Sequence, residues 1–210
     1  MSSFAAPTVV LADQRVTDIL LAARQAFAEK GFDGASMQDL ARTAGMSVGN
    51  FYRYFPSKAA IVDALIGRDL DEMEQDFATI LTASAPMEAL RHKIRERVVL
   101  HGCAGDGQLW AEITAASLRK PEIGATTARM EAEIVAHLAT IFARVTGCSR
   151  EVAMARHGVR AALIVMMVKA CTMRPPEPAA LHVHLTEMVL RIIDTTLDEV
   201  VQDVTPGKIA

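Results

Sequence analysis

Apolar positions recur at helical spacing along nearly the whole chain, and alternating Val/Ile/Thr runs of the kind that form half-buried strands are absent. Val16, Leu20, Ala23 and Phe27 make the inner stripe of a first helix, with Asp13 placed to cap it and Gly31 to end it. Ser36 opens a short helix with Met37, Leu40, Ala41 and Ala44 on its apolar side, closed by Gly45. Ser47 opens another that reaches about Phe55, where Pro56 stops it, and Ser57 caps a long helix towards residue 83. Further turn chemistry stands at Ala85-Pro86, Gly102 to Gly107, Lys120-Pro121, Gly147 to Ser149 and Arg174 to Pro178. The pattern predicts an all-α fold of about nine helices.

The helices before residue 58 are mostly short and tightly joined, whereas those after it are long. Charge shifts at the same place. Residues 36–58 hold Arg42, Arg53 and Lys58 against one acid, Asp39, while residues 59–210 are net acidic. A small basic head, 1–58, on a larger acidic body, 59–210, implies two functional parts. Composition adds the compartment. With 51% hydrophobic and 22% charged residues and a formal charge of −3 over 210 residues, this is an ordinary globular chain rather than a uniformly basic one. Cys103, Cys148 and Cys171 are far apart with no CxxC, which fits a reducing, cytoplasmic setting. Residues 1–12 lack the features of a signal peptide. The apolar run Ala161 to Val168 is far shorter than the roughly 20 residues that span a bilayer, so no membrane partner is expected.

Gly45-Met46-Ser47-Val48-Gly49 matches the G-x-S-x-G elbow of serine hydrolases, but that elbow needs a strand before its serine, and Ser36 to Ala44 reads as a helix. The same residues make better sense as a turn. Two short helices meet at Gly45, and Phe51 and Phe55, one turn apart, anchor the second on the first. This is the layout of a helix-turn-helix, with an ordinary helical hairpin as the alternative. Ser36, Ser47 and Ser57 stand at helix N-termini, where free amides and the dipole attract phosphate. Tyr52, Arg53, Tyr54 and Lys58 lie around them as further phosphate donors, and Asn50 can pair with an adenine edge in the major groove.

The stretch also carries a family pattern: Ala22, Ala23, Phe27, Gly31 and Phe32, then Ser36, Met37, Asp39, Leu40, Ala41, Ala44, Gly45, Met46, Ser47, Gly49, Phe51, Tyr52, Tyr54, Phe55, Ser57 and Lys58. Over about the first 65 residues the chain resembles the N-terminal domain of the tetracycline-repressor (TetR) family. Beyond it the likeness is in helix number and length and in Leu109-Trp110-Ala111-Glu112 followed by Pro121. Gly49-Asn50-Phe51-Tyr52 departs from the commoner Gly-Thr-Leu-Tyr, which bears on the operator sequence. The resemblance implies phosphate contacts at Ser36, Ser47, Tyr52, Tyr54 and Lys58, and base-reaching positions at Gln38, Val48, Gly49, Asn50 and Arg53. Packing is the competing role for Val48, three residues before Phe51, and for the ring of Tyr52.

A single helix-turn-helix reads few bases, whereas a dimer reads two half-sites. The last two helices suit association. Residues 161–168 are apolar around most of the circumference. The final helix has one stripe at Leu181, Leu185, Met188 and Ile192 and a second at Val189, Ile193, Leu197 and Val200. A helix apolar on two sides is buried on two sides, in a core or in a homodimer. The resemblance implies the homodimer, a palindromic double-stranded operator, and release by an effector held in the body. Candidate pocket residues are Met73, Phe77, Ile94, Val98, Leu109, Trp110, Ile113, Met130, Ile134 and Met166, with Trp110 the leading one; plain core is the competing and commoner role for side chains at this spacing. Eleven methionines suit an irregular, mostly apolar or aromatic effector. His182 and His184 point to different sides of one helix and cannot share a metal, and no cofactor is implied. Cys103, among glycines, is a candidate exposed thiol without a basic cluster to activate it. The expected function is a one-component transcriptional regulator, a repressor, and not an enzyme. The rival is a helical carrier or enzyme whose pocket is the main function.

Overall fold

The computed structural model describes residues 7–101, 106–174 and 178–203. Among the described residues there are nine α-helices and no strand: α1 Pro7–Gly34, α2 Met37–Thr43, α3 Val48–Tyr54, α4 Lys58–Thr82, α5 Pro86–His101, α6 Asp106–Ser117, α7 Pro121–Thr146, α8 Arg150–Thr172 and α9 Ala179–Gln202. The all-α expectation and its helix count hold.

Two boundaries differ from the sequence reading. The backbone is helical from Pro7, so Asp13 lies inside α1 instead of capping it. Proline fits the first turn of a helix because its missing N–H would have had no partner there. At the other end Gly31 does break α1, at φ 75° and ψ 161°, but one more helical turn follows to Gly34. Cys103 and most of the turn around it lie outside the described residues.

Packing groups the chain into two compact units. One takes in the chain up to Arg68 together with Gln108–Thr127; the other takes in Asp69–Gly107 and the chain from Ala128 onward. This grouping cuts differently from the division at 58/59, because the start of α4 and the α6–α7 corner pack with the head. In the first unit Leu20, Ala23 and Phe27 of the α1 stripe are buried with Leu40, Ala41, Phe51, Phe55, Leu65, Leu109 and Ile113. In the second, Phe77, Leu90, Phe142, Ile164, Ile193 and Leu197 belong to one apolar core.

The two stripes of α9 separate in the structure. Ile193, Leu197 and Val200 are buried, whereas Leu181, Met188 and Ile192 are 54%, 55% and 46% exposed. On α8, Val152, Val159 and Met166 repeat every seventh residue and are exposed as well.

Candidate nucleic-acid interface

The interface begins with two capped helices. The Ser36 side chain accepts the Asp39 N–H at 3.1 Å, and Asp39 Oδ2 accepts the Ser36 N–H at 3.1 Å, a reciprocal capping box that starts α2. The Ser36 hydroxyl also donates to Asp39 at 2.5 Å. Asp39 is further paired with Lys30 at 2.6 Å and with Arg42. Hydrogen bonds from Lys30 and then Ser36 hold its carboxyl far below the ordinary carboxylate range.

The end of α2 is built as deliberately. Gly45 takes φ 63°, the Met46 N–H donates to the Ala41 carbonyl at 2.9 Å, and the Gly45 N–H donates to that of Arg42 at 3.0 Å. This is a Schellman motif, and its left-handed residue is most cheaply a glycine. It turns the chain into Ser47, whose side chain accepts the Asn50 N–H at 3.4 Å and opens α3. With no strand before it and its oxygen used as a cap, Ser47 has none of the geometry of a hydrolase nucleophile.

Phe51 and Phe55 are buried and hold α3 down, their rings 6.5 Å apart. Everything else that α3 carries faces water. Ser47, Val48, Gly49, Asn50, Tyr52, Arg53 and Tyr54 are all exposed, as are Ser36 and Gln38 at the start of α2. Val48 and Tyr52, for which packing was the competing role, are 37% and 48% exposed. Among the described residues, the side chains of Gln38, Asn50, Tyr52, Arg53 and Tyr54 accept or donate no hydrogen bond. An exposed surface of amide, guanidinium and two phenols, flanked by helix N-termini, can donate to phosphate and to base edges at once.

Lys58 is the exception. Its Nζ donates to the carbonyls of Phe32 at 2.5 Å and Asp33 at 3.3 Å, and stands 4.7 Å from the centre of the Phe32 ring. It is half-buried, and burial lowers its pKa. Lys58 thus ties the start of α4 to the end of α1. Two of its three N–H donors are used there, which leaves one for a phosphate.

The ten candidate effector residues fall in both units. Leu109, Trp110 and Ile113 lie in the unit of the head, with Leu109 and Ile113 buried and Trp110 half-buried. Met73, Phe77, Ile94, Val98, Met130, Ile134 and Met166 lie in the other. Of these, Met73, Phe77, Ile94 and Val98 are buried members of its core, Ile134 packs against that core, and Met130 is buried. Met166 is 61% exposed, in line with Val152 and Val159. A cleft of about 300 Å³ in the second unit is lined by Ser84, Ala85, Pro86, Met87, Glu88, Arg144 and Val145, none of them a candidate.

Sequence reasoning passed over three groups. Glu112 accepts the N–H of Phe32 at 3.0 Å. Arg119 and Lys120 grip Asp33 at 2.8 and 3.2 Å, and these two contacts lower the Asp33 pKa. His137 stacks on Phe77 with centroids 4.8 Å apart. Only Glu112 had a local signal, its place in the Leu109–Glu112 stretch.

Comparison with known proteins finds a family match across the helix-turn-helix segment. Residues 19–65 match the family described as bacterial regulatory proteins, tetR family. Over 110 residues the chain is 33% identical to the HTH-type transcriptional regulator UidR of Escherichia coli K12, covering 52% of this chain and 55% of UidR. The chain thus spans about half the length of the curated relatives it matches. Among solved structures, Salmonella enterica GusR superposes with a TM-score of 0.68 at 23% identity over 88% of this chain and 96% of GusR. AibR, in complex with isovaleryl coenzyme A and operator DNA, superposes with a TM-score of 0.62 at 18% identity over 88% of this chain and 97% of AibR. At these identities the likeness to the structures is one of fold. The family match lies across the helix-turn-helix described above, and it is this segment, residues 19–65, that is similar to the tetR family of bacterial regulatory proteins.

Proposed function

We propose that this protein is a cytoplasmic, ligand-responsive transcriptional regulator, a repressor that binds a palindromic double-stranded operator as a homodimer. The observation that carries the reading is α3. Its buried Phe51 and Phe55 fix a helix whose remaining polar side chains are exposed and unengaged among the described residues. Exposed, unengaged side chains of this kind on a short anchored helix are what a major-groove reader presents to base edges and phosphates. Gln38, Val48, Gly49, Asn50 and Arg53 then approach bases, and Ser36, Ser47, Tyr52, Tyr54 and Lys58 approach phosphates.

Dimerisation is supported by the exposed rows on α8 and α9. Large apolar side chains at Val152, Val159, Met166, Leu181, Met188 and Ile192 stand exposed in rows along α8 and α9, and exposed apolar surface gathered on one pair of helices supports an association site. A second copy of the same two helices would cover them in a four-helix bundle. Among the described residues no helix is long and apolar enough to cross a membrane, so a bilayer-spanning role for these stripes has no support.

The effector is a small, mostly apolar or aromatic molecule, received by the body. AibR, of like fold, holds a coenzyme A thioester and operator DNA in one complex, which supports a fold that accommodates both. An effector acts by binding better to the state in which the two heads cannot reach adjacent major grooves.

The test is selection of bound duplexes from a random-sequence pool, followed by titration of the selected duplex at several salt concentrations. A specific regulator yields a selected palindrome and log affinity that falls linearly with log salt. Failure to enrich any sequence refutes the reading. Compounds that shift the melting temperature are then added to the titration, and coupling is expected to weaken DNA binding about 5- to 150-fold.

A further inference from the structure

The passage from α1 into the helix-turn-helix is shaped from outside the head. Gly31 leaves helical geometry, and the Ala35 N–H donates to the Gly31 carbonyl at 3.1 Å, so a new helical turn starts there. The Phe32 N–H is the first donor of that turn, and no carbonyl within the turn can accept it. Glu112 of α6, 80 residues further along, supplies the acceptor at 3.0 Å. It does for this turn what an Asp or Ser cap does for an ordinary helix, with a negative charge on the positive end of the dipole. A Cβ on Gly31 would stand 2.9 Å from the same carboxylate oxygen. Position 31 therefore needs glycine for its positive φ and for room.

The turn that Glu112 caps leads directly to Ser36, the cap of α2. Its far side is held by Lys58 on the carbonyls of Phe32 and Asp33, and by Arg119 and Lys120 on the Asp33 carboxylate. All of these residues belong to the first compact unit.

We propose that Glu112 is a positioning residue for DNA recognition: by capping the turn at Gly31–Phe32 it sets the course of the chain into α2 and α3. This rests on the reading of the protein as a DNA-binding regulator. Glu112 itself makes no DNA contact in this account. Non-specific attraction depends on how many cations meet phosphates, whereas base reading depends on the register in which α3 is presented. Loss of the cap falls on specific binding and spares non-specific binding.

The experiment uses the full chain, the duplex selected by the parent protein, and a scrambled duplex of equal length. Glu112→Ala is expected to weaken the selected duplex roughly ten- to a hundredfold, the range carried by one charge-assisted hydrogen bond. Affinity for the scrambled duplex and the salt slope should stay at parent values. Glu112→Gln keeps a carbonyl oxygen for the Phe32 N–H and should restore most of the specific affinity. Amide-resolved hydrogen exchange without DNA should show Phe32 faster in Glu112→Ala and protected in the parent and in Glu112→Gln, with the amides of α7 unchanged. Parent-like specific affinity in Glu112→Ala overturns the proposal. So does a Gln variant as weak as the Ala variant, or equal losses on both duplexes. A parent that selects no duplex at all overturns the regulator reading, and this proposal with it.

Discussion

Lys58 tests the account of the head most sharply, because sequence and structure assign it different work. The pattern of the stretch makes it a phosphate contact; the fold places its ammonium on two carbonyls at the end of α1 and over the Phe32 ring. Lys58→Met keeps the apolar stem and deletes the charge. A charge-assisted hydrogen bond contributes about 1.5–3 kcal/mol when water is excluded. This ammonium is only half-buried, so the pair of bonds together with the ring contact should contribute about 1–3 kcal/mol to the first unit. The single tryptophan, Trp110, belongs to that unit, so urea unfolding followed by its fluorescence reads the loss directly. The remaining N–H donor gives the second readout. If it meets a phosphate in each subunit, the slope of log affinity against log salt should shrink by about 0.9 per contact, near two for a dimer. Both effects are expected together. An unchanged urea midpoint would refute the clamp at the end of α1, and an unchanged salt slope would remove Lys58 from the DNA surface.

Asn50→Ala should relax preference at one base pair per half-site, at a cost of about 1–3 kcal/mol there, measured by titrating single-substituted operators; untouched discrimination would show that Asn50 reads no base. Ile192→Glu, on the exposed stripe of α9, should give a folded monomer by sedimentation, while Ile193→Glu next to it, 1% exposed, should unfold the second unit. A stable Ile192→Glu dimer would place the interface elsewhere. His157 is buried, and that burial lowers its pKa; Arg160 and Arg156 add to the effect, against the pull of Asp203, 3.7 Å from its ring nitrogen. The unfolded chain takes up the proton more readily, so stability is full above about pH 6.5 and is lost as pH falls below it. Urea midpoints at pH 7.5 and 5.5 should therefore differ in the parent and differ less in His157→Leu; an equal difference in both would clear His157 of the acid sensitivity.

What could be read from the sequence follows the range of the forces involved. The ends of α2 and the start of α3 are legible because Ser36, Gly45 and Ser47 act through bonds to near neighbours in the chain. The two stripes of α9 were legible as stripes, but their periodicity is the same whether a face meets the core or another chain. Only the packing shows that Ile193, Leu197 and Val200 turn inward while Met188 and Ile192 do not. The pairing of Glu112 with Phe32 spans 80 residues, and no local rule connects a carboxylate to an amide so far away. Lys58 is half legible in the same manner: a cation beside a helix-turn-helix invites a phosphate, and no local rule shows that two of its donors go to carbonyls at the end of α1. The effector residues mark a harder boundary. Met73, Phe77, Ile94 and Val98 do face inward, but apolar spacing selects residues that fill a core and residues that line a cavity by the same criterion. A cavity differs from a core by volume that is missing, and a pattern of residue types records which side chains turn inward without recording how much space they leave between them.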